Sequence, residues 1–490
     1  MRYEESEEQA SEEINKNITA KVNGYRPSKR LKTIVMLGPW WNPAYLTFSR
    51  SCVARGIAVY LLDVGSQPLS WKRYSSCLAG GGLIAESQFE TPEGIASVHE
   101  YVRSVEADAL FTFWDRDLIW LGENRSVFEP TCKVMVPPVG SLELLASKRS
   151  QINLASRVGF DVLPTWYLWA PEDYRKIPQC HYPVALRPDQ PTAVKPTFKV
   201  VLAQSPEDLR SFLQGIQSLE RPVIAQPFRI LPNLLVHGVR SEAGEILALQ
   251  PFLVPRKFQA VTLSIRRADF PPGVEKCCRD FIEASGITGC FHYELLLSPR
   301  EDRAYYLEIN ARIGGTTDKV KRLGFDEPGL SLVAFGLPMQ TGTSLAAPGG
   351  RTVVNKLKVL HHIEWALRGK LTELDYPAAS RVGHVGRSLL DLLAAEDSVF
   401  DWRDLRGSLW YYWNRAVWWI TPTVTDCFAR RWRPVILSVR KGIGHAMRHT
   451  LVRLARRPGG HDSTWSSSRI WRGGDSGGSS RNSVWRCRAR

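Results

Sequence analysis

Two strand-like runs near residue 300 constrain this chain more than any other part of it. One is Gly289-Cys-Phe-His-Tyr-Glu-Leu-Leu-Leu297, and the other is the apolar, aromatic-rich run from Ala304 to Ile309. A short polar turn, Ser298 to Arg303, separates them, which predicts a β-hairpin. The second run opens the stretch Tyr305-Tyr-Leu-Glu-Ile-Asn-Ala-Arg-Ile-Gly-Gly-Thr-Thr317. Glu308 and Asn310 stand two residues apart, so they share a strand face. Arg312 continues that parity before Gly314-Gly315 breaks the strand. Antiparallel pairing is expected to bring Glu294 of the first run close to Glu308. Carboxylates, a carboxamide and a guanidinium on one face are costly to bury unless a charged group sits among them. Oxygen donors of this kind suit a hard cation such as Mg2+, and the arginine suits phosphate. The competing reading is an ordinary edge strand whose polar face meets water. His292, near Glu294 in sequence, is expected on the opposite face of the strand, as a packed core histidine.

A chain of 490 residues suggests about three domains. Its net charge of +15 is unevenly placed: the first thirteen residues hold six glutamates, whereas Cys427 to Gly460 holds nine Arg/Lys and no acid. The basic excess is therefore largely C-terminal and points to an anionic surface as partner. Nine cysteines include no Cys-x-x-Cys pair, which argues against a disulfide framework and a structural zinc site. The acidic N-terminus lacks a signal-peptide pattern, and no apolar run is long enough to span a bilayer. The expected location is cytoplasmic, with peripheral contact at the inner membrane surface as an extension of that reading.

Residues 1–29 read as a disordered acidic lead-in. Lys32 to Gly38, Ile57 to Asp63, Ala109 to Trp114 and Lys133 to Val136 read as strands, with helices at Ala44 to Arg55 and Pro92 to Val105. This alternation predicts parallel βαβ units over 30–140. The turn Gly38-Pro-Trp-Trp-Asn-Pro43 lacks the glycine fingerprint of a dinucleotide site, so NAD is not expected there. Asp63 is expected to cap a helix or to hold a polar substrate group. One helix, Ser141 to Val158, carries Lys148. Strands at Tyr182 to Pro188 and Phe198 to Ala203 flank a Pro-rich loop in which Arg187, Lys195 and Lys199 form a candidate phosphate grip. Solvated lysines are the alternative there. Further strands follow at Pro222 to Phe228, Leu234 to Arg240 and Glu245 to Leu253, then a helix from Gly273 to Ser285.

From Ser141 to about Leu337 this order of elements, with Leu-Glu-Ile-Asn-Ala-Arg-Ile-Gly-Gly-Thr inside it, resembles the ATP-grasp superfamily of the carboxylate–amine ligase type. The resemblance implies an α/β chain with an N-terminal parallel βαβ domain, an ATP-grasp α+β domain over 141–360, and a helical, Trp-rich basic extension. It implies ATP with Mg2+, or Mn2+, held by Glu294, Glu308 and Asn310. Arg312 would meet the transferred phosphate, Arg256 would lie near the γ-phosphate, and Lys148 would reach the ATP phosphates. Arg187 stands where the family has a lysine before proline, and Lys199 lies at the end of the same loop, which lacks the usual glycines. Gln226 and Phe228 match the hinge that reads adenine. The implied reaction activates a small-molecule carboxylate as an acyl phosphate, which an amine then captures. The alternatives are a degenerate member that binds nucleotide without turnover, or a membrane-surface adaptor.

Beyond Gly350 the resemblance gives less help. Arg351 to Leu360 reads as a strand, and His361-His362 as structural or surface rather than a metal site. Residues 361–458 read as the extension, with Trp402, Trp410-Tyr-Tyr-Trp413 and Trp418-Trp419 ahead of a basic run. Ile436, Val439, Ile443, Met447, Leu451 and Leu454 recur at helical spacing with arginines opposite. Residues 402–457 therefore read as a basic element for an anionic membrane surface, or equally as a helix packed on the catalytic domain. Nucleic acid is the weaker third option. Residues 459–490 are Gly/Ser/Arg-rich and read as a disordered tail.

Overall fold

The structure, a computed structural model, describes residues 31–38, 43–65, 75–337 and 351–416. The readings placed on 1–29, on Trp418-Trp419, on the basic amphipathic run and on the tail lie outside these residues. The described chain up to Tyr412 belongs to one compact unit, and a second begins at Trp413.

The N-terminal domain is the doubly wound βαβ layer that the alternating pattern predicts. Strands β1 (Thr33–Leu37), β2 (Ala58–Gly65), β3 (Gly80–Ala85), β4 (Ala109–Thr112) and β5 (Lys133–Met135) form an all-parallel sheet in the order β3-β2-β1-β4-β5. Its helices are α1 (Pro43–Val53), α2 (Pro92–Ser104) and α3 (Asp115–Glu123). Thr91 caps α2 by accepting the Gly94 amide, and Pro92 sits in the first turn, where its missing N–H costs nothing. Edge strand β3 was not expected, because Gly80-Gly-Gly82 carries little strand propensity.

The expected single helix from Ser141 to Val158 is two helices, α4 (Val139–Ala146) and α5 (Lys148–Arg157). Ser147 between them is extended, and its hydroxyl accepts the Ser150 amide as an N-cap. The break matters because it puts Lys148 at the start of a helix.

Two larger sheets follow, beside a two-stranded one that pairs Val194–Lys195 with Ser218–Leu219. A small antiparallel one, in the order β9-β8-β10-β7, comprises β7 (Trp166–Leu168), β8 (Val184–Pro188), β9 (Val201–Ala203) and β10 (Val223–Pro227), and α6 (Pro206–Gln214) packs on it. The large sheet is built on β11 (Asn233–Arg240), β12 (Ile246–Phe258), β13 (Val261–Arg267), β14 (Gly289–Ser298) and β15 (Arg303–Asn310). The short strand β6 (Asp161–Val162) extends it at one edge. At the other edge it is extended by β16 (Val353–Val354) and β17 (Glu396–Asp397). One face of this sheet buries Phe291, Tyr293, Tyr306 and Ile309 against Ile152 of α5 and Phe281 of α7 (Val274–Ser285). Helices α8 (Thr317–Arg322) and α9 (Glu327–Ala334) pack between the large sheet and α1.

The expected strand from Arg351 to Leu360 is confined to β16. Asn355 then accepts the Lys358 amide and starts helix α10 (Lys356–Leu367), so a domain boundary at 361 would cut through a helix. Helix α11 (Arg381–Ala394) packs on α10, and β17 returns the chain to the large sheet.

The start of the C-terminal extension is joined to the N-terminal domain through one buried carboxylate. Asp404, fully buried, accepts Arg50 Nε at 2.9 Å, Ser75 Oγ at 2.8 Å, Ser76 N at 3.0 Å, Ser76 Oγ at 2.9 Å and Gly407 N at 3.1 Å. Burial pushes its pKa up, but Arg50 and the serine donors outweigh burial and hold it below the ordinary carboxylate value. Replacing it removes the counter-charge of Arg50, which keeps neutral acceptors at Val399 and Ser408, and leaves several donors unpaired. Asp404→Ala is expected to cost about 3 kcal/mol of unfolding free energy, measured by urea denaturation. A loss under about 1 kcal/mol would mean that the extension is only loosely attached.

Candidate active site

The expected hairpin forms, with Glu294 of β14 directly opposite Glu308 of β15 and His292 opposite Asn310. The way β15 presents Glu308 was not expected. Ala304 and Tyr306 point into the helix-side core, so strict alternation would bury Glu308 there as well. The register slips between Glu294/Glu308 and Leu295/Tyr306, leaving Leu307 as an extra residue. This β-bulge reverses the parity: Ile309 and Ala311 now fill the core, while Glu308 and Asn310 turn to the opposite face.

Two carboxylates facing each other in a half-buried setting separate in acidity. Burial and the neighbouring Glu308 charge push the Glu294 pKa up. Burial acts the same way on Glu308, but Lys148 and Arg187 overcome it and hold that carboxyl well below the ordinary value. Lys148 Nζ lies 2.9 Å from Glu308 Oε2. Its position follows from the start of α5, where Asp189, itself buried, binds Ser147 Oγ at 2.9 Å and accepts the Arg149 amide at 2.8 Å. Across the sheet, Gln151 Oε1 of the same helix accepts the Ile309 amide at 3.1 Å. Helix and metal-type strand are thus tied together.

Arg187 of β8 spreads its fork between two sheets. One nitrogen donates to Gln226 Oε1 at 2.7 Å and to the Leu307 carbonyl of the bulge at 3.4 Å; the other lies 3.7 Å from Glu308. A lysine has a single donor head and cannot make this divided contact. The Gln226 side chain also donates to Thr165 Oγ1 at 2.9 Å, so it is committed to holding Arg187. The Phe228 amide donates to the Pro183 carbonyl at 2.8 Å just beyond β10. Lys199 is exposed, and its charge acts on both glutamates. Lys195 is exposed in the two-residue strand Val194–Lys195.

Arg312 is drawn toward the N-terminal domain. Its Nε donates to Asp115 at the start of α3, and a terminal nitrogen reaches the other Asp115 oxygen at 3.1 Å and Asn310 Oδ1 at 3.5 Å. His292 is buried, as expected, yet it shares the face of Glu294, two residues along. Its Nε2 lies 3.2 Å from Asn310 Nδ2, its Nδ1 lies 3.3 Å from the Arg312 carbonyl, and its ring stacks on His237 at 5.2 Å. Gly314 is required here, because a Cβ would fall 2.8 Å from the His292 ring.

Arg256 is the one expected site residue that the structure takes elsewhere. It is buried against α10 and α11, bound to Asp391, to Ser388 Oγ at 2.6 Å and to His362 Nδ1 at 3.4 Å. Burial, with Arg256 beside it, lowers the His362 pKa to about 3. The next residue, Lys257, turns to the Glu294 side instead. Its Nζ donates to the Leu231 carbonyl at 2.8 Å and to Asn233 Oδ1 at 3.0 Å. Burial lowers its pKa to about 8 against the opposing pull of Glu294. Of two adjacent basic residues, strand orientation selects the second, and sequence alone did not separate them.

Glu294, Glu308 and Asn310 fit a hard divalent cation by donor type: two carboxylates and an amide, with one carboxylate destabilised by its neighbour's charge. Among the described residues no group of three His, Cys, Asp or Glu is placed to hold a metal, so the asparagine is needed to complete this set. Lys148, Arg187, Lys199, Lys257 and Arg312 surround the two glutamates, an excess of cations that suits a polyphosphate.

No protein-family model and no curated protein matches the sequence. Solved structures do match. The ADP complex of an N5-carboxyaminoimidazole ribonucleotide synthetase is 14% identical, with a TM-score of 0.52, over 69% of this chain and 85% of that one. Biotin carboxylase from Campylobacter jejuni, a β,γ-ATP complex, is 14% identical, with a TM-score of 0.50, over 66% and 74%. The biotin carboxylase domain of Hydrogenobacter thermophilus 2-oxoglutarate carboxylase is 12% identical, with a TM-score of 0.50, over 66% and 74%. This chain has the ATP-grasp fold. The carboxylate hairpin of the ATP-grasp domain faces Arg187 and Gln226 of the small sheet, and Arg312 links it to the parallel domain.

That N-terminal domain has a second charged cluster at the C-terminal ends of its strands, close to the α3 turn that holds Arg312. Asp63 caps no helix: it lies within β2, half-buried and without a hydrogen bond among the described residues. Burial and the Asp117 charge push its pKa up to about 6. Asp117 is buried, with Oδ1 bonded to Arg116 Nε at 3.0 Å and Oδ2 unpartnered. Gly38, at φ +123°, leaves room here for the Tyr45 hydroxyl, which donates to the Leu37 carbonyl. Because the Asp63 pKa is higher in the folded state, its charge destabilises the fold increasingly as pH rises from about 4 to about 6. Asp63→Asn is expected to stabilise the protein by about 1–2 kcal/mol at neutral pH and to have no effect below about pH 4. Urea unfolding across that range checks the prediction, and a pH-independent difference would refute it.

Proposed function

We propose that this chain is an ATP-dependent ligase that joins a small-molecule carboxylate to an amine through an acyl phosphate. The observation that carries the reading is the Glu294–Glu308 pair ringed by Lys148, Arg187, Lys199, Lys257 and Arg312. Glu294, Glu308 and Asn310 would hold Mg2+, or Mn2+, which when bound neutralises and orients phosphate oxygens. Lys148 and Arg187 fix Glu308 as an anion and present positive charge beside it. Lys199 and Lys257 supply cations on the Glu294 side. Gln226 keeps the Arg187 fork in place, and the segment from Gln226 to Phe228 would line the base pocket. Arg312, held by Asp115, stands between the two domains, where it can stabilise charge on a transferring phosphoryl group. Alignment and electrostatics are all that such a transfer requires from the protein. Two of the matched structures are an ADP complex and a β,γ-ATP complex, which supports a nucleotide as ligand. Asp63 and Asp117 would receive the cationic amine before its proton leaves.

One observation favours a second reading, in which nucleotide binds without turnover. The loop from Asp189 to Pro196 has no glycine, and its first residue is pinned to the start of α5. Phosphate release from ATP, screened against pools of amino acids and small carboxylic acids, separates the two readings. Turnover is expected in at least one pool. Glu308→Gln and Asn310→Ala are each expected to lower kcat by about 100-fold or more, while an Arg256 variant loses stability before nucleotide affinity. Unchanged turnover in both site variants would remove the assignment. Tight binding of a fluorescent ATP analogue without phosphate release in any pool would favour the second reading.

A further inference from the structure

Helix α11 is amphipathic in the reverse sense for a surface helix. Its buried residues are polar: His384 and Ser388, with Asp391 on the same stripe, turn inward to meet Arg256 and His362. Its outward stripe is apolar, with Val382 82% exposed, Leu389 49%, Leu390 65% and Leu393 84%. These positions recur at the spacing of one helical face, with Gly386 completing it. A soluble helix normally reverses this assignment, and a contiguous exposed Leu/Val stripe marks a surface that something covers.

The charges around the stripe decide what covers it. The one acid on the helix, Asp391, is neutralised by Arg256. Arg381 and Arg387 are exposed and form no ion pair among the described residues. A second copy of the chain docked on this face would bring like arginines together. An anionic lipid surface would instead accept the leucines among its acyl chains and the guanidinium groups among its headgroups. We propose that the outward face of α11, through Val382, Leu389, Leu390 and Leu393 with Arg381 and Arg387 beside them, docks the protein on anionic lipid surfaces. This surface is separate from the nucleotide site, and it does not require the basic run beyond residue 416.

Full-length protein sedimented with vesicles tests the proposal. Vesicles of phosphatidylcholine alone are compared with a phosphatidylcholine–phosphatidylglycerol mixture. The parent protein is expected to bind the mixture preferentially, and Leu390→Ser with Leu393→Ser to weaken that binding by at least about tenfold. Both side chains are solvent-exposed, so the melting temperature should not fall. Arg381→Gln with Arg387→Gln is expected to reduce the preference for the anionic mixture. Equal binding by parent and leucine variant would overturn the proposal, as would absence of binding by the parent. So would a lipid-free dimer of the parent, seen by light scattering, that the leucine substitutions convert to monomer.

Discussion

The Glu294–Glu308 contact is the constraint from which the rest of the site follows. Two carboxylates opposite each other on antiparallel strands repel, and partial burial weakens the solvation that would relieve them. The cations that compensate come from elements far apart in sequence: Lys148 from a helix start, Arg187 and Lys199 from the small sheet and its loop, Lys257 from β12, and Arg312 from beyond β15. Lys148 and Arg187 come within 2.9 and 3.7 Å of Glu308, and the others act on the pair through their charge. The carboxylate pair therefore links the mutual placement of the two sheets to the electrostatics of the site.

The bulge at Leu307 makes that contact compatible with a core. Tyr306 and Glu308 have the same parity, and no regular strand can bury one while exposing the other. Inserting one residue resolves the conflict, and the freed Leu307 carbonyl becomes a partner for Arg187. An arginine at position 187 also has a structural basis. The divided fork contacts the bulge carbonyl, Gln226 and Glu308 together, so the arginine belongs to the support of the carboxylate pair as well as to the charge around it.

Much of this was legible in the sequence because it rests on local pattern. Alternating strands and helices predicted the parallel domain, and the Gly289–Asn310 run predicted the hairpin that pairs Glu294 with Glu308. What could not be read depended on tertiary context. Ser147 breaks a helix that periodicity alone would continue, and Gly80-Gly-Gly82 hides an edge strand. Arg256 and Lys257 are neighbours of like charge, and only the packing of α10 and α11 sends the first away from the site. His292 carries no sequence mark that distinguishes a packed histidine from one lying against Asn310. Asp404 shows the same limit at long range, since nothing near it foretells its bond to Arg50 across more than three hundred residues.

Two acidic clusters among the described residues differ in a way that suggests how work is divided between the domains. Glu294 and Glu308 are surrounded by a surplus of cations, so what they lack is a dense anion such as polyphosphate. Among the described residues Asp117 has Arg116 as its cationic partner, shared with Glu86, and Asp63 has none, so what this pair lacks is positive charge. Arg312 stands between the clusters, bonded to Asp115, two residues before Asp117. A reaction that moves phosphate-borne negative charge on one side and needs an amine on the other matches this polarity. Reversing it would place an amine among lysines and a phosphate beside unpaired aspartates. Under the ligase reading proposed above, the electrostatic gradient across Arg312 would place the nucleotide at the sheet hairpin and the amine at the strand ends of the parallel domain.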